Sequence, residues 1–295
     1  MEERQWSFST ISMFQTCQRK YYWRKVKGLI SATTAPALTY GRLLHECFET
    51  FYNELAKGMD RSKAISLACA HLEANWKDCL EDDRRTIANG IKLLLAYEEL
   101  YRAEPFKILQ QEVAFSVPVY YGGGKSFLLS GRLDALIEWN GPIYVLERKS
   151  TSQLNSNFFK PFEMSSQLDG YQYAAEQLVG KKVLGVMMDV FEVWKDVKRE
   201  TAKTKKTEDH FARNPMHRSN FEMKEYFEDM GMVVEDIIRA EKENRFPRNK
   251  NACFSYNYRC PYWNLCKYGE SESELKNFTI DPKVAIAIDE KGGEA

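Results

Sequence analysis

Asp134, Glu147 and Lys149 are the residues whose types and spacing in this chain could do hydrolytic chemistry. They lie in 131–149, GRLDALIEWNGPIYVLERK, which reads as two strands joined at Asn140-Gly141-Pro142. Strand side chains alternate, so Glu147 and Lys149 share one face with Ile143 and Val145, while Tyr144, Leu146 and Arg148 take the other. Antiparallel pairing would bring Asp134 beside them. Two carboxylates can hold a hard divalent cation, and an adjacent amine can orient or activate a water. The same residues also suit the solvated face of a half-exposed sheet, and the strand pair alone does not choose between the two.

Other chemistry-bearing residues lie before and after this stretch. Gly41 and His45 are one turn apart on a helix expected to start near Leu38 and to break at Gly58, so room is left for something to approach that histidine. A histidine satisfied by a neighbour is the plainer reading. Gln167 and Tyr171 stack on one face of a helix expected over 165–179. Cys253, Cys260 and Cys266 follow a C-x₆-C-x₅-C spacing among Phe254, Tyr256, Tyr258, Tyr262 and Trp263. Three thiols leave a four-coordinate metal one ligand short. Cys17, on a helix expected from Ser7 or Ser9 to Gly28, reads by itself as a small buried residue. Cys47, Cys69 and Cys79 have no ligand-like spacing and are assigned to packing. Lys195, Lys198, Arg199, Lys203, Lys205 and Lys206 make a local basic run, of a kind that is usually a solvated loop.

The elements that must position these residues follow from periodicity and composition. Apolar residues make up 44% of the 295 and aromatic residues 13%, enough for one large domain with a real core. Lys plus Arg and Asp plus Glu both number 42, so any nucleic-acid site must be a local patch. Helical stretches are expected over 61–80, 87–101 and 221–244, and strands from Ile108 to Trp139 around YGGGKS. That turn lacks the upstream glycine and the following helix of a phosphate-binding loop, so ATP binding is not supported. Neither is a flavin or nicotinamide, since no G-x-G-x-x-G follows a strand. No stretch approaches a transmembrane helix and MEERQWSFST has no apolar signal region, so the chain is expected in the cytoplasm, away from membranes. Clustered cysteines in that reducing compartment point to metal rather than disulfides.

Taken together, these features resemble the PD-(D/E)XK nuclease superfamily, in its RecB-like branch with an iron–sulfur cluster. That branch includes the AddB nuclease domain, the CRISPR-associated adaptation exonucleases and phage-encoded relatives. The resemblance runs from Ser7 to Cys266. Gly131 to Asp134 matches the family's G-x-x-D, Glu147-Arg148-Lys149 its E-x-K, His45 its upstream histidine, and Gln167 with Tyr171 its Q-x-x-x-Y helix. Cys17, Cys253, Cys260 and Cys266 match its four cysteines, although C-x₆-C is wider than the C-x₂-C of the CRISPR-associated members.

The resemblance implies an α/β, restriction-endonuclease-like core, with a mixed central sheet flanked by helices. Residues 1–270 would form a single nuclease domain with a helical insertion near 60–105, which could arch over the site. An iron–sulfur clasp would join Cys17 to 253–266, and 271–295 would be a loosely attached polar tail. It implies a metal-dependent deoxyribonuclease, an exonuclease that leaves 5′-phosphates in DNA repair, recombination or phage DNA processing. Asp134, Glu147, His45 and the backbone carbonyl of Arg148 would bind Mg²⁺ or Mn²⁺, Lys149 would serve the water, and Gln167 and Tyr171 would position the strand. The four cysteines would hold a [4Fe–4S] cluster, with Zn²⁺ as the alternative. The partners implied are DNA, single-stranded or with free ends, and a separate helicase or recombination protein. The rival reading is a catalytically silent nucleic-acid-binding partner of such a complex.

Overall fold

The computed structural model describes residues 4–32, 36–76, 82–195, 205–255 and 258–282. In chain order, β1 (Gln5–Trp6) leads to α1 (Phe8–Thr16), α2 (Gln18–Tyr21), a π-helical turn (Tyr22–Val26) and β2 (Leu29–Ser31). The long helices α3 (Pro36–Ala56), α4 (Arg61–Ala74) and α5 (Ile87–Leu100) precede β3 (Phe106–Tyr121), β4 (Lys125–Trp139) and β5 (Ile143–Thr151). Next come α6 (Ser166–Val179), β6 (Gly185–Glu192), β7 (Phe211–Met216) and α7 (Asn220–Glu243). The chain continues with β8 (Phe254–Ser255), β9 (Tyr258–Arg259), α8 (Trp263–Tyr268), α9 (Glu272–Leu275) and β10 (Phe278–Ile280).

Asn140 and Gly141 both take positive φ, which closes the β4–β5 hairpin with Ala135 opposite Leu146 and Ile137 opposite Tyr144. The crossover through α6 returns the chain parallel to β5, and β7 then runs antiparallel on the far side of β6. The sheet is therefore mixed and flanked by helices, as expected. β5 and β6 each have a neighbour on both sides. Residues 143–148 and all of β6 are buried, which accounts for the apolar runs Ile143–Leu146 and Gly185–Met188.

The chain packs as two compact units. One comprises 1–34, 118–130 and 224–295, and the other 35–117 and 131–223. In the second unit, α4 and α5 pack with α3 around Leu44, Phe48, Phe51, Leu72 and Leu94, together with Phe191 and Phe211 from the sheet. Helices α4 and α5 are thus part of that unit's core. Cys47 lies within this core and Cys69 packs against it, while Cys79 lies outside the described residues. In the first unit, the helix expected to Gly28 breaks at Cys17, whose extended backbone (φ −164°) ends α1 and starts α2. The tail also differs from expectation up to Asp281. β10 pairs with β2, Phe278 stacks on Tyr262 and Asp281 binds Arg24 at 2.9 Å, because strand pairing satisfies a backbone that a free tail would leave to water. Among the described residues no helix is long and apolar enough to cross a membrane.

A row of charge crosses the sheet of the second unit. Arg148, Asp189 and Arg213 are register partners on β5, β6 and β7, so they share one face. Asp189 is fully buried; it accepts from Arg213 Nε at 3.1 Å and from the Tyr97 hydroxyl at 2.5 Å, and Arg213 also reaches Glu104 at 2.6 Å. Removing one member of such a buried pair strands the other's charge. Asp189→Ala should therefore lose about 3–5 kcal/mol of unfolding free energy in urea titrations, and adding Arg213→Met should recover most of it. Equal losses in the single and double variants would show that packing, not the stranded charge, is responsible.

Candidate active site

Glu147 and Arg148 are adjacent on β5 and both buried, at 3% and 2% exposure, with side chains on opposite faces. A solvated strand face is thereby excluded. The hairpin brings Asp134 beside them as expected. Its Oδ2 accepts the Arg148 backbone N–H at 2.7 Å, and its Oδ1 lies 3.4 Å from Nδ1 of His45 on α3. Lys149 donates to Glu147 Oε1, and Gln167 Nε2 lies 3.4 Å from the same oxygen. Gln167 also donates to the Tyr171 hydroxyl at 2.9 Å. The second carboxylate oxygen of Glu147, Oε2, is buried with no hydrogen-bond partner. His45, Asp134, Glu147, Lys149, Gln167 and Tyr171 are thus brought together as one constellation in the second unit.

Two glycines make this approach possible. A Cβ on Gly41 would stand 3.3 Å from Ser150 Oγ, so what the bare turn before His45 admits is β5 itself. A Cβ on Gly131 would stand 2.7 Å from the tip of the Phe115 ring, which packs edge-to-face with Tyr171 at 6.1 Å between centroids. The first glycine of G-x-x-D therefore seats the aromatic that backs Tyr171.

Burial and mutual charge set the protonation pattern. Burial, then the charge of Asp134, pushes the Glu147 carboxyl up to about 7 against the pull of Lys149. Burial would raise Asp134 as well, but its hydrogen bond and attraction to His45 prevail and hold it below the usual carboxylate range. His45 is raised in turn: burial lowers it, and the bond to Asp134 more than offsets that. Burial first, and the Glu147 charge second, keep Tyr171 a neutral phenol. The sequence reading missed Glu112 on β3. Its backbone is left-handed (φ 47°), its carboxylate faces Arg132 at 3.3 Å, and burial followed by the Asp134 charge raises its pKa. Nothing in the pattern LQQEVAF marks that kink.

In the first unit, Cys17, Cys253, Cys260 and Cys266 line one cavity of about 320 Å³, together with Lys20, Arg248 and Lys267. All four are free thiols. The indole N–H of Trp23 donates to Cys266 Sγ at 3.3 Å and the Asn249 amide to Cys17 Sγ at 3.4 Å. Burial raises the Cys260 and Cys266 thiols. Among the described residues, no three His, Cys, Asp or Glu side chains converge on a single metal ion, here or at the catalytic constellation. The basic run is largely neutralised where it is described. Lys195 pairs with Asp83 and Lys205 with Glu192, each at 2.7 Å, and Lys206 lies 3.7 Å from Glu208. Lys198, Arg199 and Lys203 lie outside the described residues.

Comparison with known proteins identifies the family. The family model of the PD-(D/E)XK nuclease superfamily matches residues 5–267. A crystal structure of a candidate exonuclease from Eubacterium rectale superposes with a TM-score of 0.50 at 12% identity, over 90% of this chain and 88% of its own, a likeness of fold. The solved structure of SSO0001 is 17% identical and covers 85% of this chain and 89% of its own, but at a TM-score of 0.32 it carries no argument. No curated protein sequence matches the chain.

The raised Glu147 carboxyl has a measurable consequence in metal-free protein. A carboxyl whose folded pKa is about 7, against an ordinary 4.5, gives stability that is full below pH 4.5 and lost as pH rises through 7. Glu147→Gln removes that titration. In chelator-treated samples its unfolding free energy should exceed the parent's at pH 8, by up to about 3 kcal/mol, and the gap should close toward pH 5. Urea titrations across this range check it; a gap independent of pH would contradict it.

Proposed function

The chain belongs to the PD-(D/E)XK nuclease superfamily, and from this we propose that it is a metal-dependent deoxyribonuclease. We read it as an exonuclease that hydrolyses phosphodiester bonds of DNA, single-stranded or with free ends, and leaves 5′-phosphates. The observation that carries the proposal is Glu147. An ionisable oxygen buried in a central strand with no partner, beside a second carboxylate and a lysine, is unfavourable unless a cation completes it.

Mg²⁺ or Mn²⁺ bound there would supply a water of lowered pKa and neutralise the charge that builds on the phosphate. Asp134, Glu147, the Arg148 carbonyl and His45 would hold it, and the imidazole favours Mn²⁺ over an all-oxygen site. Lys149 has its ammonium next to Glu147, where it can orient the attacking water and balance the negative oxygens of the transition state. Gln167 fixes Tyr171 and flanks Glu147, so this pair would seat the strand near the scissile phosphate. A helicase or recombination protein would deliver substrate, in repair, recombination or phage DNA processing in the cytoplasm.

We assign a [4Fe–4S] cluster to the four cysteines. Four free thiols around a cavity of about 320 Å³, two of them already accepting N–H donors, suit a cluster better than a lone Zn²⁺, whose sulfurs must close to about 2.3 Å from one centre. Its role would be structural, tying α1 and α2 to 253–266.

End-labelled single- and double-stranded DNA, incubated with anaerobically purified protein and Mg²⁺ or Mn²⁺, should be shortened from an end to products bearing 5′-phosphates. Lys149→Ala should lose about 100-fold or more in kcat. DNA binding without cleavage under either metal would favour the silent binding partner. Cys260→Ser should lower the melting temperature more than it alters the chemistry of the protein that remains folded; a variant as stable as the parent and merely inactive would refute the structural role.

A further inference from the structure

We propose that Arg148 is a positioning residue: its guanidinium, closed in by Phe48 and Tyr52 behind β5, holds the helix that carries His45 in register with Asp134. The inference rests on the proposed metal site for its meaning and on contacts within one unit for its evidence.

Arg148 heads the largest fully buried side chains of the chain, yet two of its guanidinium nitrogens, Nε and Nη2, have no hydrogen-bond partner. An unbranched apolar residue would fill the same space without stranding donors, so packing alone does not explain an arginine here. What an arginine adds is a flat cation. It lies 5.5 Å from the Phe48 ring centroid and 4.9 Å from that of Tyr52. These two rings are one helical turn apart on α3, so a plane held against both resists sliding and rolling of the helix together. His45 stands three residues before Phe48 on that helix, and its Nδ1 meets Asp134 at 3.4 Å.

The clamp is itself anchored on both sides. Tyr52 bonds Glu104 at 2.7 Å and the Tyr97 hydroxyl at 3.0 Å, and Tyr97 bonds Asp189 at 2.5 Å. Asp189 is the register partner of Arg148 across β5 and β6, which closes a loop from the strand through two helices and back. At its other end Arg148 gives its backbone N–H to Asp134 at 2.7 Å. One residue thus fixes the carboxylate through its main chain and the histidine's helix through its side chain.

A double-mutant cycle tests this in the full-length, cluster-loaded protein. Arg148→Met, His45→Ala and their combination are compared with the parent for melting temperature, Mn²⁺ affinity by electron paramagnetic resonance, and kcat and KM on end-labelled DNA. Arg148→Met should melt within about 5 °C of the parent. It should nevertheless lose about tenfold in Mn²⁺ affinity and in kcat with KM little changed. On the His45→Ala background the same substitution should cost less than about twofold, because its effect is exerted through that histidine. Arg148→Lys, which keeps the charge but not the plane, should recover part of the loss. If Arg148→Met folds poorly, Phe48→Leu removes one wall of the clamp and should show the same dependence on His45. Equal losses with and without His45, or unaltered Mn²⁺ affinity, would overturn the proposal. The cycle in Mn²⁺ binding holding in a protein that cuts no DNA would uphold Arg148 and refute the nuclease reading; cleavage without the cycle would do the reverse.

Discussion

Burying a glutamate and an arginine next to each other on one strand is the constraint around which the second unit is built. Neighbouring residues on a strand face opposite ways, so the two charges cannot neutralise each other directly and each face must answer its own. On one face Lys149 and Gln167 meet Glu147, which still keeps an unpartnered oxygen. On the other, Phe48 and Tyr52 take the guanidinium, and Asp189 continues the charge row to Arg213. Isolated buried charges are costly enough that both faces must be furnished for β5 to occupy the middle of a sheet.

That constraint explains why α3 lies so close to the sheet. It meets β5 at Gly41 against Ser150 and at Phe48 and Tyr52 against Arg148, and between them His45 meets Asp134. A Cβ at 41 would stand 3.3 Å from Ser150 Oγ, a slight clash that a shift of a few tenths of an ångström would relieve. The apolar remainder of α3 is committed to α4 and α5, so the helix cannot turn without unpacking that core. Helices α4 and α5 therefore serve the candidate site by holding α3 still.

Local pattern made the site legible in the sequence, and long-range pairing hid the rest. Strand alternation alone puts Glu147 with Lys149 and Arg148 opposite, and the Asn140-Gly141 turn alone brings Asp134 alongside. Helical spacing alone pairs Gln167 with Tyr171. The breadth of the Arg148 contribution was not visible, because Asp189 and Arg213 become its neighbours only through the registers of β5 with β6 and β6 with β7. Glu112 was missed for a related reason, since its kink is not encoded by glycine or proline. The break at Cys17 escaped notice because the apolar positions Ile11, Phe14 and Tyr21 keep near-helical spacing across it. The docked end, Phe278 to Asp281, escaped because a three-residue strand carries too little pattern to stand out from a polar tail.

The first unit presents the opposite physical problem. Between residues 4 and 32 and between 250 and 282, its helices run to at most nine residues and its strands to at most three. Elements this short are marginal on their own, and the apolar cluster they share rests on Trp23, Leu29, Tyr262 and Leu265. Cys17 and Cys253, Cys260 and Cys266 face one cavity beside that small cluster, where, on the proposed reading, a shared inorganic group would add to the cohesion that burial supplies. The candidate catalytic side chains all fall between His45 and Tyr171, in the other unit and on its long, well-packed elements. On the proposed reading, then, the thiols hold the chain's first and last segments together, whereas the chemistry is positioned by the burial of β5.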